Sequence, residues 1–284
     1  MAELAELMRS VANGDGSGVD RELTVVTPPD DRSVGVLAFA GRNVVSADLT
    51  GDWVRSRLRD DDLSAPLQPP FLTAVAAVTG RVPDNLDLVL VAPATGRLNG
   101  IELTEQTEFV APLHPRLERA LTQRIGVRAW HCPGGLLTLG RGVAGRWEVS
   151  MEVEPALRGF GLGRGLFTAA RGLLPAGEFV WAQVAPGNAA AVRAALAAGF
   201  QPVGAEVLLR QGESSFGAFG WFADEQAEEH EANTVDQWRE GDAADDPLVP
   251  ALIPDHDDDL ATNVDPISTL SVLDDPTTQD ESVD

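Results

Sequence analysis

The sequence predicts an α/β chain on a mixed sheet, and three observations predict it. Strand-like and helical segments alternate between residues 113 and 210, the pattern of strands joined by crossover helices. Residues 127–131, 136–139 and 146–153 are strand-like and lie only a short turn apart, at Pro133-Gly134-Gly135 and at 142–145, which suits an antiparallel meander. The last of them runs through a glycine-rich turn into a helix and on to a strand at 179–184, which supplies the parallel component.

The remaining elements follow in order. Residues 1–20 are small and polar around Asn13-Gly14-Asp15-Gly16-Ser17-Gly18 and are expected to form a flexible leader. Strands are predicted at 23–27, 34–40 and 44–47, the last two separated by the turn Gly41-Arg42-Asn43. Helices are predicted at 52–59 and 71–78, the second preceded by Pro69-Pro70, where proline is tolerated. The apolar run 86–91 predicts a buried strand that Pro93 ends. Leu117, Ala120, Leu121 and Ile125 give helical spacing over 115–125, closed by Gly126. Beyond 184, a helix at 189–198 and a strand at 203–209 complete the pattern.

The net charge of −23 is confined to one end. From Trp221 onward there are 20 acidic residues against one arginine, whereas the first 220 residues hold 24 acids and 20 arginines. Such an acidic, proline-dotted segment cannot bury enough apolar surface to offset its ordering entropy, so 223–284 is expected to be disordered. Its two apolar islands, 248–253 and 267–273, are first explained as adhesive spots in a solubilising tail. The near-neutral body carries no basic footprint for nucleic acid. No apolar run approaches the roughly 20 residues of a membrane span, and no signal peptide is evident, so a cytoplasmic protein is expected. One cysteine, Cys132, excludes an internal disulfide and any multi-cysteine metal site, and no metal is expected. Abundant arginine, alanine and glycine with no lysine suggest a GC-rich bacterial coding sequence.

The chemistry concentrates after the strand that stops at Glu154-Pro155. There Arg158-Gly159-Phe160-Gly161-Leu162-Gly163-Arg164-Gly165 leads into a helix marked by Leu162, Leu166, Phe167, Ala170 and Leu174. A glycine turn at a helix N-terminus offers free amides and the positive dipole end to an anion, typically a phosphate. A Walker A loop needs a lysine, and there is none; the dinucleotide fingerprint fails because Arg164 and Leu166 stand where its third glycine belongs. What fits is R-x-x-G-x-G at Arg158, Gly161 and Gly163. This resembles the pyrophosphate loop of the GCN5-related N-acetyltransferase (GNAT) superfamily. Asn188, an alanine-rich helix and Gly199-Phe200 follow at a separation also similar to that family, although helix capping explains both ends without any function.

The resemblance covers about 113–210 and implies a mixed, mainly antiparallel sheet flanked by helices. It makes 111–222 an acetyl-CoA-binding domain and leaves 21–110 as an N-terminal α/β region, either an acceptor side or a degenerate second half. It further implies acetyl transfer from acetyl-CoA to the primary amine of a small molecule or peptide. The backbone of Met151 and Val153 would pair with pantetheine, the turn from Arg158 through Gly159, Phe160, Gly161, Leu162 and Gly163 to Arg164 would hold the pyrophosphate, and Asn188 would lie near the cofactor. Many relatives place a proton-donating tyrosine where this chain has Ala195, and the chain contains no tyrosine. An acyl-CoA-binding sensor without catalysis is the alternative.

Candidates for the general base are Glu148 and Glu152, which share a strand face, and His131, whose ordinary pKa suits proton transfer. Taken singly, each has a simpler explanation as a solvated or ion-paired strand residue. Trp130, Trp147 and Trp181 are first explained as core packing, and Trp53 as a possible acceptor-side wall.

Overall fold

The computed structural model describes residues 2–15, 22–58, 62, 64–98 and 100–212. The acidic segment 223–284, with its apolar islands, lies outside the described residues.

The β-branched and leucine-rich runs join one ten-stranded sheet. In chain order its strands are β1 (Glu22–Val26), β2 (Gly35–Phe39), β3 (Arg42–Ser46), β4 (Arg81–Pro93), β5 (Thr104–Gln106), β6 (Ile125–Cys132), β7 (Gly135–Arg141), β8 (Trp147–Val153), β9 (Phe179–Val184) and β10 (Gln201–Gln211). Their spatial order is β1-β3-β2-β10-β4-β9-β8-β7-β6-β5. Only β1/β3 and β8/β9 are parallel. The sheet is therefore mixed and mainly antiparallel, with helices on both faces. The two regions expected from the sequence share it, because β4 lies between β9 and β10.

Alternation along the strands separates the two faces. On one face α5 (Leu162–Leu173) and α6 (Ala189–Ala197) cover Leu90, Ala92, Leu137, Leu139, Val149 and Val180. Farther along the same face, α3 (Pro69–Thr79) and the short α2 (Gly51–Arg55) close over Val36, Val45 and Leu209. The opposite face carries α4 (Pro115–Gln123) and α1 (Ala2–Asn13). Phe200 meets Phe167 edge-on at 5.1 Å, and Gly199, in a left-handed conformation at φ 85°, ends α6 so that the chain can turn back. No helix among the described residues is long and apolar enough to cross a membrane.

Two expectations need correction, and one strand was not expected. Residues 2–13 of the expected leader are helix α1. Leu4, Leu7, Met8 and Val11 recur at helical spacing and are buried against Leu37, Phe39, Val44, Val89, Val91 and Trp181. The glycine cluster that suggested mobility begins only at the end of that helix. The strand expected at 86–91 runs from Arg81 to Pro93, because β9 and β10 pair with it on both sides. Strand β5 was not foreseen; it is three polar residues long, and its pairing with β6 is what makes it a strand.

If α1 belongs to the core, Leu4→Ala should cost about 2–5 kcal/mol in urea unfolding, the usual range for a fully buried leucine. A loss below about 0.5 kcal/mol would place the helix outside the cooperative unit.

Candidate functional site

The site begins where two strands part. β8 and β9 pair in parallel only over Trp147↔Val180, Glu148↔Trp181 and Val149↔Ala182, yet β8 continues to Val153 and β9 to Val184. The backbone of β8 past Val149 is therefore left open on that side. Its direction follows from one bond: the Glu154 N–H donates to the Gly134 carbonyl, toward β7. Antiparallel alternation then turns the backbone groups of Glu152 and Ser150 toward β7, and those of Met151 and Val153 toward the gap. The Val153 carbonyl accepts from Arg158 Nε at 3.0 Å.

Past the gap the chain makes the glycine turn. Gly159 and Gly161 have φ of 86° and 89°, left-handed values that glycine adopts without strain, and open space surrounds the position of a Cβ on either. Gly161 caps α5, whose first bond runs from the Gly165 N–H to the Gly161 carbonyl. The amides of Leu162, Gly163 and Arg164 precede that bond and have no intrahelical acceptor. α5 lies close to α6 at Gly163, where a Cβ would stand 3.5 Å from that of Ala194, an ordinary van der Waals contact. The resulting cleft, about 640 Å³, is lined by Met151, Val153, Gly161, Arg164, Asn188 and Arg193 among others. Phe160, between Gly159 and Gly161 in the same turn, is 84% exposed.

A second cavity, about 260 Å³, opens on the α4 face. Met151, Phe167, Asn188 and Ala191 line both spaces, so the two meet at the gap between β8 and β9. Its walls include Asp84 and Asp87 of β4, Arg119 of α4, Ser150 of β8, Gln183 of β9, and Glu206 and Arg210 of β10.

Beside this cavity lies a buried cluster of two positive and two negative charges. Arg146 donates to both oxygens of Glu206, at 2.6 and 3.0 Å, and to Glu148 at 2.8 Å. Arg124 donates to Glu148 at 2.9 Å and to the Ser150 hydroxyl at 3.0 Å. The Val143 amide and Gln183 complete the set. Burial would raise the pKa of Glu148, but Arg146 and Arg124 outweigh it and hold the group at about 2. Gly142 is required here, because a Cβ at that position would collide with the Glu148 carboxylate. Asp87 behaves oppositely. Burial first, then the charges of Glu206 and Asp84, push it up to about 6.

No protein-family model and no curated protein matches the chain. Solved structures similar to parts of it include a GCN5-related N-acetyltransferase from Kribbella flavida, at 18% identity over 52% of this chain and 66% of that one, with a TM-score of 0.33. A tandem GNAT protein from the clavulanic acid biosynthesis pathway is also 18% identical over 52% of this chain and 60% of its own, with a TM-score of 0.32. An acetyltransferase of the GNAT family from Colwellia psychrerythraea is 13% identical, covering 62% of this chain and 80% of its own length, also with a TM-score of 0.32. The chain spans two thirds or less of the first two.

The structure distributes the candidate residues unevenly. Met151, Val153, Arg158, Gly159, Gly161, Gly163, Arg164 and Asn188 line the cleft, with Leu162 in the first turn of α5. The Asn188 side chain caps α6 by accepting from the Ala191 amide at 3.1 Å. Arg158 is turned back onto Glu152 at 3.3 Å, and Arg116 reaches the same carboxylate at 2.9 Å. Glu152 thus bridges α4 and the turn at the cleft mouth. Glu148 does not suit a base: it is buried, fully bonded and held ionised by two guanidinium groups. His131 lines neither cavity; it lies two strands away on β6, with Nε2 2.7 Å from Gln106 Oε1. Trp53 packs with Phe71 and Arg57, away from both spaces. Sequence reasoning missed Arg193, which faces the cleft from α6, and Asp87, which only its two partner strands identify.

Glu148→Gln should destabilise the protein by about 3–5 kcal/mol at pH 7, because two buried guanidinium groups lose a counter-charge. The stabilisation from ionised Glu148 is present above its ordinary pKa near 4.5 and is lost as pH falls from there toward 2. Urea midpoints measured across pH 2–7 should show that acid slope in the native protein and a weaker one in the variant.

Proposed function

We propose that the protein is an acetyl-CoA-dependent N-acetyltransferase that acts on a primary amine of a small molecule or peptide. The observation that carries this reading is the parting of β8 from β9 directly before a glycine turn at a helix N-terminus. One element leaves unpaired strand backbone and the other leaves unpaired amides, arranged in line along one cleft. An extended amide-bearing arm ending in a pyrophosphate matches that sequence of groups. The motif R-x-x-G-x-G and the spacing to Asn188 support the same assignment.

In this reading the backbone of Met151 and Val153 pairs with pantetheine as an added strand would. The amides from Gly159 to Arg164 hold the pyrophosphate, the positive end of the α5 dipole favours its charge, and Arg164 and Arg193 flank it. Acetyl-CoA supplies the activated thioester. A β8 amide facing the gap polarises its carbonyl, stabilising the oxygen as negative charge develops there. The acceptor amine reaches the carbonyl from the α4 face through the second cavity.

One observation favours the alternative of a sensor without catalysis. Ala195 is fully buried in the core, so its position offers no proton to a departing thiolate. In the enzyme reading, water takes that role.

Acetyl-CoA at a hundredfold excess over its Kd should stabilise the native protein by about 2.7 kcal/mol in thermal unfolding. Gly161→Glu should abolish the shift, since it forces a side chain into left-handed backbone and places a carboxylate at the anion site. No shift with millimolar acetyl-CoA would refute the cofactor assignment. Thiol release with a panel of amines then separates enzyme from sensor; binding without release across the panel favours the sensor.

A further inference from the structure

We propose that Asp87 is the general base and that the α4-face cavity receives the acceptor as a compact primary ammonium ion paired with its carboxylate. The inference rests on the acetyl-transfer reading above and adds to it the proton acceptor and the charge of the substrate.

Position is the first argument. β4 pairs with β9 through Leu88↔Val184, so Asp87 stands opposite Ala185, just past the end of β9. At that level β8 has already diverged, its last pairing with β9 being Val149↔Ala182. Asp87 therefore lies beside the open part of the gap, one strand removed from it. It also pairs in register with Glu206 and shares that residue's face, the face of the second cavity. A base there approaches the thioester from the side opposite the cofactor cleft, as attack by an incoming amine requires.

The second argument is availability. Every other carboxylate in the cavity wall is engaged. Asp84 accepts from Arg119 at 3.5 Å and from Arg210 at 3.3 Å, and Glu206 is sealed against Arg146 and Gln183. Among the described residues no hydrogen bond or ion pair reaches the Asp87 carboxylate, although the residue is only partly exposed. The groups that face it are Asp84 on its own strand, Glu206 and Arg210 on β10, and Arg119 on α4. The two acids raise its proton affinity and the two arginines lower it, after burial has acted. The balance makes Asp87 a stronger base than a solvated aspartate yet leaves it ionised at neutral pH, the condition for accepting a proton from an ammonium ion.

The step balances as follows. Asp87, directly or through one water, takes a proton from the ammonium, and the freed nitrogen lone pair forms a C–N bond at the thioester carbonyl. The C–S bond then breaks, the thiolate takes a proton from water, and the nitrogen sheds its second proton. An ammonium and acetyl-CoA become an amide, a free thiol and one proton, which returns to solvent.

The test uses the full chain, acetyl-CoA and a panel of amino acids, amino alcohols and short diamines, with thiol release and calorimetric cofactor binding as readouts. Asp87→Asn should bind acetyl-CoA as the native protein does and lose kcat/KM by about 10²–10⁴-fold at pH 7. The native profile should fall below about pH 6, and that limb should be missing in Asp87→Asn. In Asp84→Asn the limb should move to lower pH, because a charge that raises Asp87 is gone. Without any ligand, Asp87→Asn should raise Tm at pH 8 but not at pH 4, since ionising a group whose folded pKa is raised costs stability only above its ordinary range. That measurement also reports whether the variant folds. Retention of the acid limb and of native kcat/KM in Asp87→Asn would overturn the assignment of Asp87 alone, whereas cofactor binding with no thiol release by any amine would favour the sensor and overturn acetyl transfer and this inference together. Failure of the native protein to bind acetyl-CoA would overturn the cofactor reading and this inference together.

Discussion

Four buried charges set where β8 and β9 separate. Glu148 stands on the middle of the three β8 residues that pair with β9, and Glu206 stands three strands away on β10. Arg146 bridges them, and Arg124 ties Glu148 to the end of α4. The desolvation cost of such a group is large and is recovered only if each charge keeps its partners in good geometry. The root of the gap is therefore fixed, while the strand ends beyond Val149, where no such cluster acts, are free to diverge. The cleft and the second cavity both depend on that hinge point.

The two spaces differ in chemistry because they lie on opposite faces of one sheet. Toward α5 and α6 the walls are backbone amides, small residues and arginines, a surface suited to an anion. Toward α4 they are carboxylates and arginines held in pairs, with Asp87 outside the pairing. The sheet separates the two charge environments everywhere except at the gap, so a reaction between groups bound on either side can occur only there. The same geometry explains why Glu148, at the root, is structural. The bonds that fix the gap satisfy its oxygens and remove its capacity to accept a proton.

Legibility in the sequence followed the range of the interaction responsible. The glycine turn, the helix behind it, the cap at Asn188 and the Gly199-Phe200 ending are local, and their residue types state their backbone conformations directly. β9 was located residue for residue, because its apolar run is bounded by turn chemistry on both sides. Helix α1 was hidden by the glycine cluster after it, although Leu4, Leu7, Met8 and Val11 carried the helical period. β5 and the extension of β4 have no local signature, since polar or proline-bearing residues became strand only by pairing with neighbours. For the base, even spacing placed Glu148 and Glu152 on one face correctly. Only tertiary contacts separate a carboxylate clamped by two arginines from one bridging the cleft mouth.

The sequence by itself determined the glycine turn, the strand before it and the helix after it, because backbone sterics and capping act over a few residues. It also determined the alternation that leaves two-faced strands and the absence of tyrosine at the position of Ala195. The tertiary structure alone decided that β4 would insert between β9 and β10 and bring Asp87 to the gap. It also decided that Glu148 would be a structural ion and that the N-terminal residues would seal the core. These outcomes depend on burial and on charges brought together from distant segments, and the free energy of a charged group is set by neighbours that sequence spacing does not reveal.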